Sequence, residues 1–122
     1  MTTILAVDDS PSILMMLGVV LRANGYQVNE ASSGHEALKV LDQHAVDLVL
    51  TDLLMPGMDG VELIREMRRL PACKTVPIIM LTTQSNEAMK RAGKAAGATC
   101  WIVKPFLTVR LTELIRKMVA VR

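Results

Sequence analysis

Short apolar runs alternate with amphipathic segments along the whole chain, and this alternation limits the folds that the chain can form. The runs lie at residues 3–7, 26–31, 46–51, 77–82 and 98–103, and three of them contain the nearly continuous apolar stretches ILAV, LVL and IIML. Such stretches are typical of strands that are covered on both faces of a parallel sheet. The sequence therefore predicts five strands, each followed by a helix. Right-handed crossovers turn that order into a three-layer α/β/α sandwich around a five-stranded parallel sheet.

Capping residues mark the boundaries of the predicted helices. Ser10 followed by Pro11 predicts the beginning of the first helix, and Gly25 predicts its end. Similar signals occur at the next three helices: Ser33 and Glu36 with the spacing of a capping box, Asp59-Gly60 before the third helix, and Gly97 after the fourth, which we predict over Glu87–Ala96. This fourth helix has the weakest apolar stripe, because Ala, Lys and Gly dominate it.

Composition excludes several classes of protein. The 122 residues support one domain, which we expect over residues 1–122 without an output domain, and 51% of them are hydrophobic. A net charge of +2 gives no field that favours nucleic acid or a membrane surface, and the longest apolar run, residues 13–21, is too short to span a bilayer. Cys73 and Cys100 lack metal-ligand or redox spacing, which indicates free thiols in a reducing compartment and a cytoplasmic location.

Polar residues lie at the carboxyl ends of four of the predicted strands. They are Asp8 and Asp9 at the first strand, Asp52 at the third, Thr82 and Thr83 at the fourth, and Lys104 at the fifth. Ligands of open parallel sheets bind outside the carboxyl ends of the strands, near the point where the winding direction changes. We therefore expect three carboxylates, a hydroxyl and an ammonium to meet at one edge of the sheet.

Three carboxylates that lie close together repel one another unless positive charge compensates them. Lys104 supplies one positive charge, and Mg²⁺ is the natural second compensator because it accepts a few carboxylates and still binds phosphate oxygens. A carboxylate beside such a cation, an ammonium and a hydroxyl can attack a phosphoryl group. Asp52 is the best candidate for this nucleophile, since Asp8 and Asp9 are placed to hold the metal from a neighbouring loop.

Each of these residues has an ordinary structural interpretation when it is taken alone. Asp8-Asp9 is typical of a solvated turn, Thr82 is a common strand residue, and Lys104-Pro105 is typical of a strand exit. The functional interpretation depends on all the positions being occupied together.

Two other groups of polar residues are not assigned to this site. His35 and His44 lie on a predicted helix or loop that is far from the carboxyl edge of the sheet. Arg65, Arg68 and Arg69 cluster late in the third helix, where a solvated face near the helix C-terminus is the simplest interpretation. Docking of a partner is the alternative for these arginines.

Four stretches carry a resemblance that extends over nearly the whole chain. They are AVDDS at residues 6–10, LTDLLMPGMDG at 50–60, MLTT at 80–83 and WIVKPF at 101–106. Together they resemble the receiver domain of bacterial response regulators, specifically the single-domain, CheY-like chemotaxis type. The resemblance implies a flavodoxin-like strand order of 2-1-3-4-5 in the predicted sheet.

The resemblance also implies roles for the residues at the carboxyl edge. Asp52 accepts a phosphoryl group from a histidine kinase, and Mg²⁺ is bound by Asp9, Asp52 and the backbone carbonyl of Leu54. Asp8 assists the metal through water, and Lys104 contacts the phosphoryl oxygens. Such a domain is a phosphoacceptor that assists its own phosphorylation and dephosphorylation, and it is not an enzyme with other substrates.

A conformational switch and a set of partners follow from the same resemblance. Thr82 swings its hydroxyl toward the phosphoryl group, the ring of Trp101 moves inward with it, and the surface of the fourth helix, fifth strand and fifth helix changes. The implied partners are a CheA-like histidine kinase, a downstream target such as a flagellar motor switch protein, and a phosphatase. We expect a cytoplasmic monomer that relays a chemotaxis signal.

Four positions depart from the usual pattern of the family. Leu54 and Gln84 stand where relatives often carry polar or acidic residues that line the path of attack, so the lifetime of the phosphorylated state is not implied. Trp101 replaces the more general Tyr or Phe. Leu107 stands where a polar residue often caps the last helix, which leaves the cap to Thr108 or removes it at a cost of about 1 kcal/mol.

Three other functions are weighed against this one. A bare receiver also serves in phosphorelays that have no link to chemotaxis, and a phosphorylation-independent interaction module would keep the shape alone. A metal-dependent phosphatase with an aspartyl nucleophile would need an acid two residues after an Asp in the first loop, which Asp8-Asp9-Ser10 does not offer. The filled acidic edge argues against the interaction module.

Overall fold

The computed structural model describes residues 1–83 and 87–120. Within these residues five strands alternate with five α-helices: β1 Thr3–Val7, α1 Pro11–Ala23, β2 Gln27–Ala31, α2 Gly34–Gln43, β3 Leu48–Asp52, α3 Gly60–Arg69, β4 Ile78–Thr82, α4 Glu87–Ala96, β5 Cys100–Val103 and α5 Thr108–Ala120. A short 3₁₀ helix over Pro71–Cys73 precedes β4. Neighbouring strands are parallel and follow the order β2-β1-β3-β4-β5, which confirms the predicted architecture and strand order.

Four of the predicted strands begin one or two residues too early. The wrongly assigned first residues are Tyr26, Val46, Pro77 and Ala98. Val46 and Ala98 are each only 8% exposed, so they belong to the core without belonging to the sheet. The Ala98 N–H donates to the Gly93 carbonyl at 2.9 Å and thereby closes α4 instead of pairing with a strand. An apolar run in the sequence indicates which residues are buried. At β3 and β5 the buried residues begin before the first residue that is hydrogen-bonded into the sheet.

The start of α2 corrects one capping prediction. Ser33 Oγ accepts a hydrogen bond from the Glu36 backbone N–H at 3.1 Å, as predicted. The Glu36 carboxylate accepts hydrogen bonds from Ser32, whose N–H and hydroxyl both reach it, so the reciprocal half of the box is not made with Ser33. A complete capping box forms instead between Asp59 and Glu62 at the start of α3.

The other helix ends follow the predicted residues. Gly25 after α1 has a φ of +88° and Gly97 after α4 has a φ of +120°, a region that residues with a Cβ rarely adopt. At α5, Thr108 is the first helical residue and the Leu111 N–H donates to the Leu107 carbonyl at 3.3 Å. Leu107 therefore occupies the cap position, and of the two predicted alternatives the structure favours the loss of a side-chain cap.

Two apolar layers cover the two faces of the sheet. The face toward α1 and α5 is formed by Ile4, Ala6, Leu48, Leu50, Ile79 and Leu81. The face toward α2, α3 and α4 is formed by Leu5, Val7, Val49, Ile78 and Met80. Because both faces are covered, polar side chains of the sheet are left to gather at the strand ends. No helix among the described residues has the length and apolar character needed to cross a membrane.

Candidate functional site

The carboxyl edge of the sheet gathers the polar side chains that the sequence singled out. Asp52 and Thr82 are the last residues of β3 and β4, and Asp8 and Lys104 directly follow β1 and β5. Backbone hydrogen bonds extend the ladder past the strand ends: the Asp8 N–H donates to the Ala31 carbonyl at 3.1 Å, and the Lys104 N–H donates to the Thr82 carbonyl at 2.7 Å. The register of the sheet therefore fixes the backbone positions from which these side chains extend.

Three carboxylates form a compact acidic cluster at this edge. One oxygen atom from each of Asp8, Asp9 and Asp52 lies within 4.8 Å of the other two. Asp8 is 1% exposed, Asp52 is half-buried and Asp9 is exposed. Asp8 Oδ1 accepts a hydrogen bond from the Ser10 N–H at 2.9 Å, which orients its carboxylate. Hard oxygen donors at this spacing are those that Mg²⁺ prefers, so the residues fit that cation.

Lys104 supplies the positive charge of the site. Its Nζ lies 2.9 Å from Asp8 Oδ2 and 3.5 Å from Asp52 Oδ1. The side chains of Lys104 and Asp52 are each 14% exposed, so water screens these contacts only weakly. Three carboxylates against one ammonium leave an excess of negative charge at the acidic cluster, and this excess favours a divalent cation.

Burial raises the pKa of the Asp52 carboxyl above its ordinary value, and the negative charge of Asp8 raises it further. Lys104 opposes this shift, and so does the Leu53 N–H, which donates to Asp52 Oδ1 at 2.9 Å. The Asp52 carboxylate is therefore more basic than that of an exposed aspartate. Higher basicity strengthens a carboxylate both as a nucleophile and as a metal ligand.

Thr82 and Trp101 line the same small cavity. The cavity has a volume of about 10 Å³, and its other lining residues are Leu53, Met80, Met89 and Lys90. Thr82 is 2% exposed, and Trp101 in β5 is half-buried. The structure thus brings the two predicted switch residues to one space between β4, β5 and α4.

Two of the positions that depart from the family pattern, Leu54 and Gln84, are expected on the path of attack at Asp52. Leu54, two positions after Asp52, is 51% exposed, so its apolar side chain is open to solvent. Thr83 is also exposed, and Gln84 lies outside the described residues. The assignment of the Leu54 carbonyl as a metal ligand stays a prediction.

Arg68 contradicts the prediction of a solvated arginine face on α3. Its guanidinium donates to the backbone carbonyls of Cys73, Val76 and Gly97 at distances of 2.6 to 3.2 Å. These carbonyls belong to the 3₁₀ helix, to the entry of β4 and to the end of α4. The reason is that a planar guanidinium has several donors and can satisfy three loop carbonyls at once. The other two arginines of the group are exposed, as predicted.

The two histidines do not join the acidic cluster. His35 and His44 are both exposed. His44 lines a groove with Thr3, the first residue of β1, which places it at the amino edge of the sheet. This confirms that His44 is remote from the site.

Comparison with known proteins identifies the family. Residues 4–116 match the response regulator receiver domain. This chain belongs to the receiver domain family. The match confirms the resemblance that the four sequence stretches carry. Receiver domains are signalling domains of two-component systems. Membership implies a histidine kinase as phosphodonor and a downstream target, and receiver domains bind Mg²⁺ at an acidic pocket of this kind.

The receiver is similar to proteins of different signalling systems. It is 40% identical over 120 residues to the transcriptional regulatory protein ResD of Bacillus subtilis, which covers 95% of this chain but 49% of ResD. The chain therefore spans about half the length of that relative. The chemotaxis protein CheY4 of Vibrio cholerae superposes with a TM-score of 0.94 and 40% identity, covering 97% of this chain and 98% of that one. The receiver domain of the sensor histidine kinase PA1611 from Pseudomonas aeruginosa, which has a magnesium ion coordinated in its active site cleft, superposes with a TM-score of 0.90 and 28% identity over 98% of each chain.

Proposed function

We propose that Asp52 of this receiver accepts a phosphoryl group from a histidine kinase in an Mg²⁺-dependent reaction, and that the modified site switches the surface of α4, β5 and α5 toward a downstream target. The contact of Lys104 with two acids carries the proposal, since its Nζ lies 2.9 Å from Asp8 and 3.5 Å from Asp52. An ammonium held beside Asp52 is already placed to contact the oxygens of an incoming phosphoryl group.

The acidic cluster has the donor set for one Mg²⁺. Asp9 and Asp52 would bind the ion directly together with the Leu54 carbonyl, and Asp8 would contribute through water. The bound ion would neutralise charge on the transferring phosphoryl oxygens. The magnesium ion in the cleft of the PA1611 receiver supports this assignment.

The transfer forms one bond and breaks one. A carboxylate oxygen of Asp52 bonds to the phosphorus atom of a phosphohistidine donor, while the bond from phosphorus to the imidazole nitrogen breaks. The imidazole keeps that electron pair and takes up a proton. Lys104 offsets the charge that develops on the phosphoryl oxygens, and it does the same when water later attacks the aspartyl phosphate. The domain thereby assists both its phosphorylation and its dephosphorylation.

The switch begins when Lys104 gains phosphoryl oxygens as partners. Its contact with Asp8 then weakens, and Thr82 at the end of the adjacent strand turns its hydroxyl toward the same oxygens. This movement enlarges the cavity that Thr82 shares with Trp101, and the ring moves into the space. A bias of a few kcal/mol is enough to shift such a two-state balance.

The downstream target that we propose is a flagellar motor switch protein, with a CheA-like kinase as donor and a phosphatase as a further partner. The similarity to the chemotaxis protein CheY4 supports this output. The similarity to the transcriptional regulator ResD favours a second candidate, a receiver in a phosphorelay without a link to chemotaxis. In both cases we propose a cytoplasmic monomer whose receiver domain covers residues 1–122.

Intact mass after incubation with Mg²⁺ and acetyl phosphate tests the proposed function. The wild type should gain one phosphoryl group, EDTA should abolish the gain, and Asp52→Asn should show none. Asp59→Asn is the matched control, because Asp59 caps α3 near the site and lies outside the acidic cluster. An equal gain in Asp52→Asn would exclude Asp52 as the acceptor. A wild type that binds its target without any gain would favour the phosphorylation-independent module.

A further inference from the structure

Lys90 on α4 lies over the indole ring of Trp101. Its Nζ is 5.4 Å from the ring centroid, within the range of about 6 Å in which a cation is attracted to an aromatic face. The Lys90 side chain is 18% exposed, whereas Lys94, one turn further along α4, is exposed. Partial removal of Lys90 from water strengthens its attraction to the ring.

Within the described residues, Glu87 is the one charged side chain that contacts Lys90. Its Oε1 lies 3.7 Å from the Lys90 Nζ, but the Glu87 side chain is 73% exposed. An ion pair that is open to water holds a side chain only weakly. The indole face of Trp101 is therefore the main contact that fixes the position of the Lys90 ammonium.

The contact sits at the wall of the cavity that Thr82 and Trp101 share, so it joins a residue of α4 directly to the predicted switch. One turn further along, Gly93 packs so closely on the Met80 side chain that a Cβ at this position would collide with it. One face of α4 thus contacts β4 at Gly93 and β5 at Lys90. A movement of the ring into the cavity must break the Lys90 contact or pull α4 with it.

We propose that Lys90 is a positioning residue that holds Trp101 in its resting place while Asp52 is unmodified and links the movement of the ring to α4. The inference rests on the proposed function for the existence of the switch, but the contact itself concerns the unphosphorylated receiver. The strength of such cation–ring contacts corresponds to a change of about two- to five-fold in the balance between two ring positions. Loss of Lys90 therefore makes the switch easier to operate.

Tryptophan emission tests the contact directly, because Trp101 is the one tryptophan of the chain. Lys90→Met keeps the apolar stem and removes the charge, Lys90→Arg keeps a cation over the ring, and Lys94→Met is the matched control on the same helix. In the unphosphorylated receiver, Lys90→Met should change the emission of Trp101 and its quenching by acrylamide. Lys90→Arg and Lys94→Met should resemble the wild type in both measurements.

Titration with beryllofluoride, an analogue of the phosphoryl group, in the presence of Mg²⁺ tests the link to the switch. Lys90→Met should reach half of its emission change at a concentration that is about two- to five-fold lower than in the wild type. Lys94→Met should show the wild-type midpoint. An equal or higher midpoint in Lys90→Met overturns the proposal, as does unchanged emission of the unphosphorylated variant. A wild type that shows no response contradicts the proposed function itself, and the emission of the unphosphorylated proteins then still decides whether Lys90 holds the ring.

Discussion

Arg68 joins three segments of the chain at the amino edge of the sheet, and its removal should destabilise the fold without damaging the chemical site. Its Nη1 donates to the Cys73 carbonyl at 2.7 Å and to the Val76 carbonyl at 2.8 Å, and its Nη2 donates to the Gly97 carbonyl at 2.6 Å. Arg68→Met keeps the bulk of the stem and removes these donors. The acidic cluster lies at the opposite edge, so phosphoryl acceptance by Asp52 should persist.

The size of the loss follows from the number of contacts. A hydrogen bond that involves a charged group contributes about 1.5–3 kcal/mol, and water can replace part of each bond because the region is only half-buried. Arg68→Met should therefore lower the free energy of unfolding by about 2–4 kcal/mol. With a denaturant slope of about 2 kcal/mol per M, the urea midpoint should fall by about 1–2 M.

Urea unfolding followed by circular dichroism measures this loss, and Arg69→Met is the matched control. Arg69 is on the same turn of α3, its side chain is 75% exposed, and its contact with Glu66 is 3.4 Å long. Loss of such an exposed pair costs at most about 1 kcal/mol. If Arg68→Met and Arg69→Met had the same midpoint, the three carbonyl contacts would not stabilise the fold as argued.

Three further predictions concern the acidic cluster. In EDTA, Asp52→Asn should raise the free energy of unfolding at neutral pH, because the raised pKa of Asp52 means that its charge is unfavourable in the folded state. In urea titrations this gain in stability should shrink as the pH falls through that pKa, and a gain that grows on acidification would refute the prediction. Free Mg²⁺ at about ten times its dissociation constant should stabilise the wild type by about 1.4 kcal/mol in thermal melts. Asp9→Asn should lose most of this stabilisation and the exposed Asp42→Asn should keep it, so equal stabilisation of the two variants would refute the metal site. In Lys104→Arg, mass spectrometry should still detect the phosphoryl group, but the change in tryptophan emission should be smaller, because a planar guanidinium does not replace a compact ammonium 2.9 Å from Asp8. A change in emission equal to that of the wild type would refute the role of Lys104 in the switch.

The polar side chains at the carboxyl edge of the sheet could be predicted, because few alternative placements exist for them. Asp8, Asp52, Thr82 and Lys104 each stand at the end of an apolar run, and parallel strands place those ends together. The strand order did not come from the residues themselves, since the pattern of runs allows more than one order. It came from the resemblance to receiver domains.

Contacts that depend on how loops and helices pack could not be predicted. Arg68 binds main-chain carbonyls, and every residue has a carbonyl, so no side-chain pattern marks its partners. Lys90 on α4 meets Trp101 on β5, and the sequence does not show which side chains of these two elements face each other. The first residues of the strands were misplaced for a related reason. Ala98 is apolar and buried, but its N–H is already used by the end of α4.

The position of the phosphoryl group on the chain is the most direct test of the chemistry argued for this receiver. After incubation with Mg²⁺ and acetyl phosphate, borohydride converts an aspartyl phosphate into homoserine, and peptide mass spectrometry then locates the altered residue. We expect the alteration at Asp52 and its loss when EDTA replaces Mg²⁺. Homoserine at Asp8 or Asp9, or a modified Asp52 that forms equally well without the metal, would contradict the assignment of nucleophile and metal ligands.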